Sequence, residues 1–201
     1  DYTIDQSLRF DDGDSAYLTR TPGSSGNRQK WSFSCWVKLG NLGADRSIWS
    51  AGESPEYCDL RFMSTNKIRW HIEDSNNYQL ETTQVFRDVG AWYHILAVLD
   101  TTETVAADRA KLYVNGSQIT AFDTANYPAE DFEPEWNDTV VHDIGRRSAS
   151  DNQYYDGYLA EVYNIDGQAL TPSDFGETDT TTNQWKPIDA SDLTFGTNGF
   201  Y

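Results

Sequence analysis

Residues 92–119 constrain the fold more than any other stretch of the chain. Residues 92–100 are a short apolar run with many β-branched and aromatic side chains, which predicts a buried strand. After a polar loop, residues 110–114 alternate between apolar and polar side chains and lead into Asn115-Gly116. Because both residues of that pair tolerate a positive φ, they predict a type I′ turn into a further strand at 117–119. The stretch therefore predicts three consecutive antiparallel strands.

The same pattern of short strands separated by turn residues runs through most of the chain. Residues 31–39 alternate with a period of two, which predicts a strand that has one face in the core. Almost no stretch has the periodicity of a helix, apart from a short one predicted at Thr171-Pro172 with Asp174 completing a capping box. Further strands are predicted at residues 7–10, 16–19, 47–51, 58–63, 67–72, 78–82, 140–144 and 158–164. Such a series favours an all-β antiparallel sandwich.

The charge of the chain limits its partners. The 201 residues contain 15 Lys and Arg against 32 Asp and Glu, a formal net charge of -17. A field of this sign argues against nucleic acid or an anionic membrane as partner and is compatible with bound cations and neutral glycans. Cys35 and Cys58 lie on neighbouring predicted strands, and buried free thiols are favoured over a disulfide between them.

Several motifs carry a resemblance to a known family. The order Trp-Tyr-His at 92–94, apolar strand, Asp100, polar loop and Leu-Tyr-Val-Asn-Gly at 112–116 resembles the central signature of the laminin-G-like branch of the concanavalin A-like jelly rolls. The motifs at residues 31–38, 144–145 and 156–163 follow the same pattern. The resemblance covers roughly residues 8–175 and implies an antiparallel jelly-roll β-sandwich.

A narrower resemblance concerns the setting of the domain. The segments 17–22, 26–28 and 165–172 are similar to the form of this domain in structural and adhesion proteins of marine tailed bacteriophages. This implies a virion or extracellular surface location, other virion chains as partners and a place in an oligomer. We expect residues 1–6 to be a lead-in and residues 7–176 the jelly-roll domain. Residues 177–201 would then be an extension that either leads into another module or docks on the sandwich.

Catalytic signatures are weak in this sequence. Glucanases of this architecture place Glu-x-Asp-x-Glu on one strand, whereas Glu133-Pro134-Glu135 alternates within a predicted loop. His94 falls inside the buried run and is predicted to be a hydrogen-bonded core or edge histidine. We therefore predict a protein that is not an enzyme. A glycoside hydrolase with carboxylates contributed by different strands is kept as a minor alternative.

Calcium is the cofactor that the acidic residues favour. Hard cations take several oxygen ligands, and Asp11, Asp12 and Asp14 lie in one tight turn. The resemblance implies a structural calcium between the N-terminal segment and an acidic residue of the last strand, which matches Glu161. The predicted ligand set is thus Asp12, Asp14 and Glu161, and a solvated acidic turn is the alternative. A lower-ranked cluster comprises Asp151, Asn152 and Asp156.

Glycan binding requires flat aromatic faces beside groups that address hydroxyls. Predicted loops supply both in the candidate set Trp136, Asn137, Asp151, Asn152, Tyr154 and Tyr155, with packing as the alternative role. Trp136 lies in a long acidic loop, residues 123–138, whose length suggests function or mobility. Trp70 and Tyr78 could line a sheet face, whereas Trp31, Trp36 and Trp92 are predicted to be core residues.

The sequence as a whole favours a non-catalytic carbohydrate-binding or adhesion module of a larger surface assembly, with calcium as a structural cofactor. Its expected ligand is a glycan or host-surface polysaccharide. The alternative is a purely structural virion module that packs against other protein chains and binds no sugar.

Overall fold

The computed structural model describes residues 2–201 as two stacked antiparallel β-sheets with a small hairpin on one outer face. In chain order the strands are β1 (Leu8–Phe10), β2 (Leu18–Arg20), β3 (Lys30–Leu39), β4 (Arg46–Glu53), β5 (Glu56–Phe62), β6 (Ile68–Glu73), β7 (Tyr78–Thr82), β8 (Tyr93–Asp100), β9 (Ala110–Val114), β10 (Ser117–Gln118), β11 (Phe122–Asn126), β12 (His142–Ile144), β13 (Gly157–Asp166), β14 (Gly176–Thr178) and β15 (Trp185–Pro187). A one-turn helix α1 (Ala106–Arg109) follows β8, and 3-10 turns occupy Ser148–Ser150 and Pro172–Asp174.

Within these residues, six strands form one sheet in the order β1-β13-β3-β8-β9-β10, and seven form the other in the order β11-β7-β6-β5-β4-β12-β2. This confirms the antiparallel sandwich predicted from the sequence. Each predicted strand is present, with ends that shift by at most two residues. The capping box at the predicted short helix is also present, although the helix is a single 3-10 turn. None of the helices described is long and apolar enough to cross a membrane.

The predicted hairpin after β9 has the geometry that its sequence requires. Asn115 and Gly116 have φ values of 48° and 77°, and β9 and β10 pair directly across them. Gly116 is needed for a second reason, because a Cβ atom there would lie 2.5 Å from a ring carbon of Trp185. The turn is therefore a docking point as well as a chain reversal.

The core between the sheets is built on tryptophan. Trp31, Trp49 and Trp136 are fully buried, and the ring centroids of Trp49 and Trp136 are 4.4 Å apart. Rings of this size bury 150–250 Å² each, an upper estimate of roughly 4–6 kcal/mol per ring. Trp70 and Tyr78 also lie in this core, so the expectation that they line an exposed sheet face is wrong.

The acidic loop predicted at residues 123–138 is wrong in its first part, which is the edge strand β11 and pairs with β7. Its second part is a loop, as predicted, and the Trp136 side chain of that part belongs to the core between the sheets. A loop assignment gives no information about burial, and here the apolar ring holds the loop in place.

A second apolar core lies on the outer face of the six-stranded sheet. Residues after β13 fold back over this face, and the buried members of the cluster are Leu96, Val98, Tyr163, Ile165, Phe175 and Ala190. The extension after residue 176 therefore docks on the sandwich, which is one of the two predicted arrangements. It also buries Ser34 and Trp36 on the second face of β3, where the sequence pattern predicted only one buried face. Cys35 and Cys58 are buried free thiols, as favoured above.

Candidate functional site

Three loops meet at one rim of the sandwich, and Arg46 at the start of β4 joins them. Its guanidinium lies 2.8 Å from a carboxylate oxygen of Asp12, in the loop between β1 and β2. The same guanidinium donates to the carbonyl oxygen of Tyr154, in the loop between β12 and β13, at 3.5 Å. Gly40, in the loop after β3, donates its backbone N–H to the carbonyl oxygen of Asp156 at 2.8 Å. The rim is thus formed by segments that lie far apart in the sequence.

The rim presents aromatic rings beside charged groups. The ring centroids of Tyr17 and Tyr154 are 6.3 Å apart, and the guanidinium carbon of Arg146 lies 3.7 Å from the Tyr17 centroid. Arg146 is held by the fully buried carboxylate of Asp143 at 2.8 Å and by Asp151 at 2.8 Å. The Asp151 side chain is 70% exposed, and Asn152 beside it is exposed as well. This group, the rim cluster, consists of Tyr17, Arg146, Asp151, Asn152 and Tyr154.

Tyr17 and Arg146 were not among the predicted site residues. Tyr17 belongs to the segment 17–22, which carried the narrower resemblance to the phage form of the domain, and Arg146 directly follows Ile144-Gly145. These positions were therefore visible in the sequence. Their proximity to Tyr154 was not, because it depends on how β2 and β12 pair at the sheet edge.

Carboxylates gather at the same rim. One oxygen from each of Asp11, Asp12 and Asp156 lies within 4.8 Å of the others. Arg9 and Arg46 pair with Asp11 and Asp12 at 3.1 Å and 2.8 Å. Burial raises the pKa of Asp156, and the neighbouring charge of Asp12 raises it further. A hard cation would relieve this crowding of negative charge, so these three residues fit calcium as oxygen ligands.

Two members of the predicted metal set lie elsewhere. Asp14 does not join the carboxylate cluster. Glu161 sits in β13 with a φ of 48°, where the pairing of β13 with β3 shifts register. Its carboxylate accepts hydrogen bonds from the hydroxyls of Tyr163 and Tyr201 at 2.5 Å and 3.1 Å. Of the predicted set, only Asp12 is in the cluster, and the carboxylate of Glu161 is bonded to two tyrosine hydroxyls instead.

Three of the predicted sugar-binding residues are buried. Trp136 donates its indole N–H to the side-chain oxygen of Asn164 at 2.9 Å, and the Tyr155 hydroxyl donates to the carbonyl oxygen of Lys38 at 3.0 Å. Asn137 donates to the carbonyl oxygen of Asn27 at 3.0 Å. All three side chains are fully enclosed, so their assignment to an exposed glycan site is wrong. The structure keeps Asp151, Asn152 and Tyr154 together at the rim.

Residues 11–174 match the Laminin_G_3 family, described as the concanavalin A-like lectin/glucanases superfamily. The chain belongs to this family. No curated protein sequence gives a significant match to this Laminin_G_3 chain.

Solved structures with the same fold differ greatly in sequence. A putative carbohydrate-binding protein from Bacteroides ovatus has a TM-score of 0.62 at 14% identity, over 99% of this chain and 52% of that one. Domains LG4-5 of the mouse laminin alpha1 chain give 0.57 at 11% identity, over 94% and 46% of the two chains. Domain 4 of an extracellular arabinanase from Geobacillus stearothermophilus, in complex with arabinotriose, gives 0.55 at 20% identity, over 75% and 65%. The Laminin_G_3 chain thus spans about half to two thirds of these proteins, and at such identities the likeness shows the fold alone.

A buried serine and histidine contact each other in this Laminin_G_3 domain without forming a nucleophilic pair. His94 is fully buried, as predicted, and its Nε2 lies 2.8 Å from the Ser34 hydroxyl. Trp185 donates its indole N–H to Nδ1 of His94 at 3.1 Å, so the ring proton resides on Nε2 and is donated to Ser34. Burial lowers the pKa of His94 to about 4. The serine is therefore a hydrogen-bond acceptor that the histidine does not activate.

Proposed function

We propose that this Laminin_G_3 domain is a non-catalytic carbohydrate-binding module of a larger surface assembly. The observation that carries the proposal is the rim cluster, where the Tyr17 and Tyr154 rings lie beside the exposed groups of Asp151 and Asn152. Aromatic faces pack on the CH patches of a sugar ring, and carboxylate and amide groups bind its hydroxyls. The rim combines both kinds of contact in one place.

A neutral sugar fits this surface best. The chain carries a net charge of -17, so an acidic glycan would approach against a repulsive field. The Arg146 guanidinium is already neutralised by Asp143 and Asp151. The Bacteroides structure is that of a putative carbohydrate-binding protein, and the Geobacillus domain is in complex with arabinotriose, which supports the same class of ligand.

Calcium bound by Asp11, Asp12 and Asp156 is part of the proposal. Because Asp156 lies two residues after Tyr154 in the same loop, a cation at these carboxylates would restrain the loop that carries the Tyr154 ring. Its role would be to stiffen the loops, with sugar contacts left to the rim cluster.

The wider setting rests on the phage-like motifs at residues 17–22, 26–28 and 165–172. We propose that the module belongs to a virion fibre, tail or capsid appendage, with a host-surface polysaccharide as ligand. Other virion chains would be its neighbours in an oligomer.

A glycan array tests the proposal. The chain is applied with calcium and again with chelator, and the Tyr154→Ala variant is compared with Val105→Ala, which alters an exposed side chain at the other end of the sandwich. We expect binding to neutral glycans that Tyr154→Ala reduces at least tenfold and Val105→Ala leaves unchanged. Absence of binding by folded protein in both conditions would refute the proposal.

An exposed apolar groove favours the structural alternative. Leu8 and Leu18, on the edge strands β1 and β2, are 55% and 51% exposed. Together with Phe200 and Tyr201 they line a groove of about 450 Å³. A module that packs against another virion chain would use such an edge. Light scattering over a range of concentrations tests it, because Leu8→Ser/Leu18→Ser should abolish any self-association of the parent protein.

A further inference from the structure

A second aromatic surface lies on the outer face of the six-stranded sheet. Trp92, directly before β8, and Tyr158, the second residue of β13, are 36% and 37% exposed. Their ring centroids are 6.4 Å apart. The expectation that Trp92 is a core residue is therefore wrong. Neighbouring exposed rings on a folded domain frequently mark a contact surface.

These rings are exposed because the second apolar core does not extend as far as Trp92 and Tyr158. The extension covers the middle of the sheet face, where Trp185 stacks on His94 with ring centroids 5.9 Å apart. Trp36, on the same face of β3 as Lys38, is still buried beneath the covering segments. Trp92 and Tyr158 lie closer to the rim, and no described segment buries them to the same degree.

A cavity of about 410 Å³ opens beside the Trp92 ring. Trp36, Trp92 and Pro187 contribute apolar surface to its lining, and so do the half-buried Tyr2 and Ile4. The exposed polar residues Thr3, Asp5, Gln6 and Ser7 complete the lining. This volume falls within the range of small-molecule sites, which combine apolar walls with a few polar groups.

We propose that this cavity is a second sugar-binding site that takes one neutral monosaccharide unit of a glycan. The apolar face of the sugar would stack on Trp92, and residues 2–7 would bind its hydroxyls through Asp5 and Gln6. The inference rests on the proposed function for the class of ligand, whereas the site itself is separate from the rim cluster.

The polar residues that line the cavity favour a sugar over a proline-rich peptide, which also binds aromatic surfaces. Proline-rich peptides bind grooves lined chiefly by aromatic rings and need few polar partners. Here exposed carboxylate, amide and hydroxyl residues line the same cavity as the two tryptophans, which suits a ligand with a hydroxyl on most carbon atoms. The net charge of -17 again favours a neutral ligand.

Protection of Trp92 from oxidation tests the site directly. Trp31, Trp49 and Trp136 are fully buried, so N-bromosuccinimide should oxidise Trp92 early, and peptide mass spectrometry can follow that residue. The probes are cellotetraose, xylotetraose, mannotetraose, arabinotriose and a decaproline peptide. We expect at least one sugar to protect Trp92, and decaproline to leave it reactive.

Variants separate this site from the rim. Calorimetric titration with the protecting sugar should show at least a tenfold loss of affinity for that site in Trp92→Ala. Tyr158→Ala should cause a smaller loss, because Tyr158 packs beside the Trp92 ring without lining the cavity. Trp92→Phe should retain most of the affinity because the aromatic face remains. Tyr154→Ala and chelator should leave protection of Trp92 intact, whatever they do to binding at the rim.

The proposal would be overturned if no sugar of the panel protects Trp92, or if decaproline alone does. It would also be overturned if Trp92→Ala, shown by thermal melts to be folded, binds the protecting sugar as well as the parent protein. A failure of the rim site has a different signature, since Tyr154→Ala would then match the parent protein in every binding measurement.

Discussion

Two buried histidines should make the domain sensitive to mild acid. Burial lowers the pKa values of both His94 and His142 to about 4, from an ordinary value of 6.5. Each ring is used as a neutral group, since Nδ1 of His94 accepts from Trp185 and Nε2 of His142 accepts the backbone N–H of Asn137 at 2.9 Å. Protonation would remove both acceptors.

The direction and the size of this effect on stability follow from proton linkage. A histidine whose pKa is lower in the folded state binds its proton first in the unfolded state, so stability is retained above pH 6.5 and falls between pH 6.5 and 4. At pH 5 each histidine should remove about 2 kcal/mol from the free energy of unfolding, and both together about 4 kcal/mol. This is a large fraction of the 5–15 kcal/mol typical of a domain.

Urea unfolding at pH 7 and pH 5 measures the effect. We expect the free energy of unfolding of the parent protein to be about 4 kcal/mol lower at pH 5 than at pH 7. His94→Gln and His142→Gln should each be less stable at pH 7 but lose about 2 kcal/mol less on acidification. The difference between parent and variant isolates the histidine from the carboxylates, which titrate in both proteins. Variants that keep the full pH dependence of the parent would refute the reasoning.

Three further predictions concern stability. Trp136→Ala should cost about 3–5 kcal/mol in urea unfolding, because it empties the centre of the tryptophan core; an exposed loop residue would cost almost nothing. Calcium should raise the melting temperature of the parent protein by several degrees and leave Asp156→Asn unchanged, and an equal rise in both would place the cation elsewhere. Gly116→Ala should cost more than about 1 kcal/mol, since its φ is positive and the new Cβ meets the Trp185 ring. A shift in tryptophan emission in Gly116→Ala would report the displaced ring, and unchanged emission and stability would contradict the contact.

The strands were predictable because their signals are local. Alternation at 31–39 and the Asn115-Gly116 pair depend on neighbours in the sequence, and both are confirmed by the sheet pairing. The three-stranded unit β8-β9-β10 was therefore accessible before any tertiary information. The edge strand β11 was not, since it is short, polar and stabilised by pairing with β7.

The candidate site was harder to predict because burial is not local. Trp136 and Tyr155 lie in segments whose sequence is typical of loops. Both side chains nevertheless fill the space between the sheets, which exists only once the tertiary fold has formed. For Trp92 the error is the opposite one, because it was predicted to be buried and is exposed. It immediately precedes a buried strand, but the C-terminal extension does not cover it. Asp156 joins Asp11 and Asp12 because β1 pairs with β13, a contact between distant parts of the chain.

Because of the second apolar core, the folded domain is longer than the segment that matches the family. The family match ends at residue 174, whereas Trp185, Ala190 and Leu193 complete the packing on the six-stranded sheet. A fragment cut at residue 174 would lay bare Leu96 and Val98 on a flat sheet surface, which invites aggregation. Fusing this module to another protein thus requires the C-terminal extension as well as the jelly roll. A boundary taken from the family match alone would remove part of the second apolar core.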